Sequence, residues 1–330
     1  MRDATSRLDT QALADRPRVV AVVGPTGSGK TAAAEELAVR IGGEIVSADS
    51  MQVYRGMDIG TAKHPAASWR VAHHCIDLVD PGTPYSAALY QTAARAAIED
   101  IASRGAAPVL VGGTGLYVRA ALDEMHFPGG HQATPTRSAL QEELANHGPE
   151  ALYALLVERD PGAAALIHRN NTRRVLRALE TLEDAGVSYA ETKEHFAERI
   201  PHYPSKYVGL GVDRDVLYSR IDARVDRMLE EGLLDEVASL IGGGYRDALT
   251  AAQAIGYKEL VPVLDGSGDL ANAVAAIKQA TRRYAKRQLT WFRADPRVRW
   301  MDVTKLSPAE TAEAIRALVE SDEADTDCIL

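Results

Sequence analysis

Residues 18–31 read RVVAVVGPTGSGKT. The β-branched run 18–23 predicts a strand, and the glycine-rich turn after it opens at Lys30 into an alanine-rich helical stretch ending near Ile41. Gly24, Pro25, Thr26, Gly27, Ser28, Gly29, Lys30 and Thr31 fill the pattern G-x-x-x-x-G-K-[ST] in the strand–turn–helix setting that gives it meaning. The glycines let successive backbone N–H groups turn inward around phosphate oxygens, and the helix N-terminus adds partial positive charge. Lys30 is then placed to neutralise charge on a diphosphate or triphosphate, and the Thr31 hydroxyl to ligate Mg²⁺. A glycine-rich turn without any ligand is the bland alternative. The loop alone does not distinguish ATP from another phosphorylated molecule.

Working outward, two further short apolar runs end in polar or glycine-rich sequence. Glu44–Ala48 runs into Asp49, and Pro108–Val111 runs into Gly112-Gly113-Thr114-Gly115; between them Ser86–Arg104 reads as a long helix closed by Gly105. Short buried strands alternating with helices predict a parallel sheet covered on both faces, with functional residues at the carboxyl ends of its strands. A lone strand-end aspartate is often a cap or turn residue. Asp49, however, shares its expected crevice with the phosphate loop and with Thr114.

From about 127 to 204 strand-like runs disappear and short helical stretches alternate with Gly-Pro turns, which predicts an all-helical insertion. A strand returns at 207–212, followed by helical patterns over 216–231, 234–241, 252–264 and 270–292 and a last strand at 297–301. The expected organisation is a disordered lead-in (1–16), a core (17–126 and 205–320), the insertion (127–204) and a frayed acidic tail (321–330).

Composition excludes several classes. With 330 residues, 46% hydrophobic and 25% charged, the chain is neither disordered nor collagen-like. Cys75 and Cys328 are too far apart in sequence to suggest a zinc or disulfide framework, so a reducing cytoplasm is the expected compartment. The adjacent pair His73–His74 points to opposite sides of a strand and lacks a third ligand at metal spacing. Residues 1–16 are charged without an apolar core segment, and no run approaches the roughly 18 apolar residues of a membrane span. The net charge of −9 argues as a sum against a nucleic-acid partner, yet it resolves into +4 over 168–177, +7 over 278–299 and −20 elsewhere. The second basic island interleaves Tyr284, Trp291 and Phe292, a mixture that suits phosphates and stacked bases. A solvated helix face with the aromatics in the core is the alternative.

Seven blocks together resemble the tRNA dimethylallyltransferase family of bacteria: GPTGSGKT (24–31), SADSMQVYRGMDIGTAK (47–63), DPGTPYSAA (80–88), LVGGTGLYV (110–118), NTRRVLRALE (171–180), AIGYKEL (254–260) and TRRYAKRQLTWFR (281–293). The resemblance spans about 19–300. It implies an α/β, P-loop NTPase-like parallel sheet flanked by helices, with a helical insertion that grips a tRNA anticodon stem-loop. It also implies transfer of the dimethylallyl group from dimethylallyl diphosphate to N6 of adenosine 37, 3′ to the anticodon, in tRNAs reading codons that begin with U.

By that resemblance Asp49 is the base, with Lys30 and Thr114 beside it. Gly24 to Thr31 and Arg214 hold the diphosphate, with Mg²⁺ on Thr31. Asp49, Ser50, Met51, Gln52 and Thr114 meet the extruded base, and Arg137, Arg173, Arg174, Val175, Leu176 and Arg177 meet the tRNA. The expected protein is a cytoplasmic monomer with no membrane association. A prenyltransferase acting on free AMP or ADP would need the crevice but not the basic insertion. A small-molecule kinase would leave both basic islands idle, and a non-catalytic RNA-binding module would give Asp49 no task.

Overall fold

The computed structural model describes residues 13–127, 134–248 and 250–327. Six strands form one parallel sheet: β1 (Val19–Val23), β2 (Gly43–Ser47), β3 (His73–His74), β4 (Ala107–Gly112), β5 (Ser205–Gly211) and β6 (Val298–Asp302), in the order β3-β2-β4-β1-β5-β6. Val20 pairs with Val109 and Lys206, and Ile45 pairs with Val109 and His73, so β4 lies between β2 and β1. That order decides the site. The turn after β4 must emerge between the phosphate loop after β1 and the Asp49 end of β2.

Helices cover the sheet because each presents one apolar stripe. In α1 (Lys30–Ile41) Ala33, Ala34, Leu37 and Ala38 are buried, and Gly42 ends the helix in the left-handed region at φ 64°. This stripe packs with Val22, Ile45, Val109, Val111, Val208 and Leu210 from the sheet and with Ala312 and Ile315 of α12 (Pro308–Asp327). Fully burying side chains of this size contributes about 1.5–3 kcal/mol each. Tyr90, Ala94, Ile98 and Ile101 form the buried stripe of α2 (Ala87–Ser103). The other core helices are α3 (Gly115–Leu122), α8 (Arg214–Glu230), α9 (Leu233–Gly242), α10 (Val261–Leu264) and α11 (Leu270–Arg293).

The chain divides into two compact units, one comprising 1–85, 90–122 and 201–330, the other 86–89 and 123–200. The second unit holds α4 (Pro135–Arg159), α5 (Pro161–Leu166), α6 (Thr172–Ala185) and α7 (Tyr189–Ala197). Its own core joins Leu140, Leu152, Leu156, Ala163, Ile167, Val175, Leu176 and Leu179. Asp160 stitches it together: Oδ1 accepts from Ala163 N at 2.8 Å as the cap of α5, and Oδ2 accepts from Ser188 Oγ at 2.8 Å at the start of α7.

One expectation is corrected. Residues 252–264 do not form one helix; a 3₁₀ turn (Ala251–Gln253) and a run of turns precede α10, because Gly256 takes φ 97° and its N–H is bound by Glu259. At the acidic end, α12 extends through Asp327. In the lead-in, residues 1–12 lie outside the described residues, whereas Arg16 is fastened to the His202 carbonyl at 2.7 Å. The two-residue strand β3 has no counterpart in the sequence pattern.

Candidate active site

The phosphate loop leaves β1 through Gly24 and reaches α1 with Gly27 and Gly29 at φ 84° and 82°, a region where a side chain is strained. Ser28 is buried and its hydroxyl has no hydrogen-bond partner, an orphaned polar atom in the wall of the loop. Lys30 folds back toward the Pro25 carbonyl at 3.3 Å. Burial pushes its ammonium down to about 8, against the pull of the Asp49 charge and together with the repulsion of Arg224. The same burial lowers Arg224, again opposed by Asp49. Two cations and one carboxylate therefore share a desolvated pocket. That balance favours an incoming anion with more than one charge.

Asp49 is oriented by its own turn, Oδ1 accepting from Met51 N at 2.9 Å. Thr114 ties the neighbouring strand ends together: its N–H donates to the Ala48 carbonyl at 3.1 Å and its Oγ1 accepts from Ser50 N at 3.1 Å. Gln52 is set by Ser47 Oγ, which donates to its Oε1 at 2.8 Å, and by the Thr61 carbonyl, which accepts from Nε2 at 3.2 Å. Across the crevice Gln288 of α11 is buried and bridges two glycine loops, Oε1 accepting from Thr26 N at 2.8 Å and Nε2 donating to the Gly113 carbonyl at 2.9 Å. A Cβ on Gly113 would lie 2.1 Å from that amide, which explains the glycine. Burial pushes the Tyr284 phenol up to about 12, so it stays protonated beside Thr114 and Gln288.

Two contiguous spaces result. A small polar one of about 70 Å³ is lined by Lys30, Thr31, Ser47, Asp49, Gln52 and Arg224. A larger one of about 270 Å³ adds Ser50, Met51 and an apolar wall that includes Val225, Met228, Leu233 and Ile277. Asp49, Thr26, Thr61, Arg224 and Tyr284 line both. The hydroxyls of Thr31 and Ser47 are hard oxygen donors, and no group of three His, Cys, Asp or Glu side chains able to hold a metal occurs among the described residues. This donor set fits a Mg²⁺ shared with substrate phosphates and water rather than a protein cage.

Arg214 opens α8, is exposed and stacks over Tyr218 at 5.3 Å, and it is not among the residues that line either space. Arg224, ten positions later on the same helix, is the arginine in the crevice. Sequence reasoning missed it, although a signal exists: it interrupts the stripe Leu217, Ile221, Val225 and Met228 with a charge.

In the second unit Arg173 and Arg174 are exposed at the start of α6, whereas Val175 and Leu176 point into the helical core. Arg137 and Arg177 both donate to the buried Glu180, at 3.1 and 2.9 Å. The second basic island splits as well. Lys278 and Arg282 pair with Asp226 and Asp222, and Arg297 pairs with Asp295, while Arg283, Lys286, Arg287 and Trp291 remain on the exposed side of α11.

Comparison with known proteins identifies the family. The IPP transferase family model matches residues 52–295 and the isopentenyl transferase model residues 17–70. The chain belongs to the IPP transferase family. Among curated members, the chain is 50% identical to tRNA dimethylallyltransferase 2 of Syntrophus aciditrophicus over 87% of its own length and 93% of the relative's. It is 48% identical to the tRNA dimethylallyltransferase of Geobacillus thermodenitrificans, covering 87% and 91%. The full-length tRNA isopentenylpyrophosphate transferase of Bacillus halodurans superposes with TM-score 0.71 at 42% identity, covering 95% and 99%. A eukaryotic dimethylallyltransferase acting on tRNA gives TM-score 0.78 at 31% identity, covering 94% and 80%. No helix among the described residues is long and apolar enough to cross a membrane.

Proposed function

We propose that this protein moves the dimethylallyl group of dimethylallyl diphosphate onto N6 of the adenosine 3′ to the anticodon in tRNAs that read codons beginning with U. The observation that carries the reading is the placement of one carboxylate, Asp49, where the polar diphosphate-sized space meets a larger, partly apolar one. Adenine N6 is a weak nucleophile because its lone pair is conjugated into the ring. Asp49 accepts the N6 proton as the C–N bond forms. The allylic carbon takes on positive charge as pyrophosphate departs, so the larger demand is stabilisation of the leaving group. Lys30, Arg224 and the phosphate-loop N–H groups meet it, with Thr31 holding Mg²⁺, which supplies further charge neutralisation when bound. Arg214 is a candidate for the outer diphosphate oxygens. Ser50, Met51, Gln52 and Thr114 receive the base, which must leave its stack to react.

Arg173 and Arg174 in the insertion, and the exposed face of α11, carry the charge suited to the tRNA backbone, and Arg137 and Arg177 support them through Glu180. In this reading the helical unit is the anticodon stem-loop module, and the enzyme works as a cytoplasmic monomer. Neutralising Arg173 and Arg174 together is expected to reduce the slope of log K against log salt by about 0.7–0.9 for each phosphate that they neutralise. An unchanged slope in filter binding against tRNA removes both residues from the interface.

The direct experiment incubates the protein with Mg²⁺, dimethylallyl diphosphate and unmodified tRNA and analyses digested nucleosides by mass spectrometry. N6-isopentenyladenosine in tRNA is the expected product. Prenylated AMP in a parallel arm with no tRNA product would reassign the acceptor, and a phosphorylated product in an ATP arm would reassign the reaction.

A further inference from the structure

Glu236 lies just outside the crevice, in the first turn of α9, and gathers four hydrogen bonds. Oε2 accepts from Asp58 N at 3.0 Å and Ile59 N at 2.7 Å, while Oε1 accepts from Gly60 N at 3.2 Å and from the Tyr257 hydroxyl at 2.6 Å. Three consecutive N–H groups turned toward one point form a concave anion site, and here the anion comes from the protein's own helix. The fit is close. A Cβ on Gly60 would lie 2.3 Å from the Tyr257 ring, so only glycine lets loop and ring meet over the carboxylate.

What Glu236 holds is functional wall. Gly60, Thr61 and Tyr257 line the larger space, whereas Glu236 does not. The Thr61 hydroxyl donates to the Met57 carbonyl at 2.6 Å, and the Thr61 carbonyl receives Gln52 Nε2. The Gln52 amide is thus fixed at one end by Ser47 and at the other by a loop whose preceding N–H groups are tied to Glu236. Hydrogen bonds to a carboxylate are stronger than neutral ones, and replacing it leaves several donors facing a poor acceptor.

We infer that Glu236 is a positioning residue for the acceptor side of the crevice: it holds the 58–61 loop and Tyr257 so that this wall of the larger space presents one fixed geometry to the adenine. The inference rests on the proposed reading of the crevice as a tRNA prenylation site. It assigns Glu236 no contact with substrate. Gly60 and Tyr257, which Glu236 binds directly, line only the larger space, and the phosphate loop is held separately by Gln288, so loss of Glu236 acts mainly on transfer to the base.

The test compares wild type, Glu236→Gln and Tyr257→Phe in steady-state transfer to unmodified tRNA. It measures kcat, KM for dimethylallyl diphosphate, inhibition by inorganic pyrophosphate, and Tm. Glu236→Gln is expected to lower kcat by about ten- to a hundredfold, as for an ångström-scale misplacement of reacting groups. KM for the diphosphate and pyrophosphate inhibition should stay within about twofold of wild type, since neither reports on the acceptor wall. Tyr257→Phe removes one donor of four and should give a smaller fall, about threefold, of the same kind. An unchanged kcat overturns the inference, as does a fall fully explained by the unfolded fraction that Tm reports or matched by weaker pyrophosphate binding. If Glu236→Gln does not fold, Tyr257→Phe decides: lower kcat with unchanged diphosphate KM supports the assignment, and unchanged kcat overturns it. A wild-type protein that transfers nothing to tRNA overturns the functional reading and this inference together. A wild type and Glu236→Gln of equal kcat overturn only the inference.

Discussion

Replacing Asp49 by Asn is expected to lower turnover of tRNA by about two to four orders of magnitude, the range associated with loss of a positioned general base. The substitution isolates the chemistry. An asparagine oxygen still accepts from Met51 N, so the turn that aims the side chain survives, while the charge and basicity are lost. The same charge opposes the lowering of Lys30 and Arg224, so its removal leaves two cations less balanced. An incoming diphosphate should then bind no more weakly than to wild type. The expected signature is a collapsed single-turnover rate with undiminished affinity for dimethylallyl diphosphate and unchanged affinity for tRNA. Asp49→Ala should show the same collapse plus a small loss of Tm from the released turn. Retention of most turnover by either variant, with tRNA still bound, would remove Asp49 from the role of base.

Lys30→Ala is expected to act on the other substrate. Removing a cation from the polar space proposed to hold the diphosphate should cost about a hundred- to a thousandfold in kcat/KM for dimethylallyl diphosphate, the scale of a lost preorganised donor. Affinity for tRNA should stay within about twofold, because Lys30 lies in the small polar space and off the exposed basic faces. Lys30→Arg is not expected to rescue, since the ammonium sits in a pocket where it approaches the Pro25 carbonyl at 3.3 Å and a planar guanidinium has different demands. Parallel loss of tRNA binding would instead place Lys30 against RNA.

The central strands are legible because each is a short apolar run ending in a glycine or a polar residue, and the parallel order brings Lys30, Asp49 and Thr114 to one edge as alternating strands and helices imply. Strand β3 escapes because two residues carry no periodicity. The stretch 252–264 misleads because its alanines and leucines fit a helix, while the left-handed Gly256 turns the backbone into the wall of the crevice. Val175 and Leu176 arrive with their arginine neighbours as a block, yet a helix sends adjacent residues to different faces, and these two go to the core. Arg224, Glu236 and Gln288 share the opposite lesson. Each is a polar residue three positions after a buried apolar one, Ile221, Leu233 and Ala285, on the same helical stripe, and each touches or braces the crevice. The two arginines on Glu180 read as pure RNA ligands in the sequence because a sequence does not reveal which acid a cation will meet.

The helical insertion leaves the core after Leu122 and re-enters at Pro201, and there the Leu122 carbonyl accepts from His202 N at 2.7 Å. One step inside the insertion, Glu124 N donates to the Ile200 carbonyl at 2.7 Å. Departure and return are thus laced together as a closed neck, so the core bears almost none of the chain-closure entropy of the intervening residues. A change of length beyond this neck therefore leaves in place the two hydrogen bonds, and the residues 122 and 202, through which the core carries the insertion.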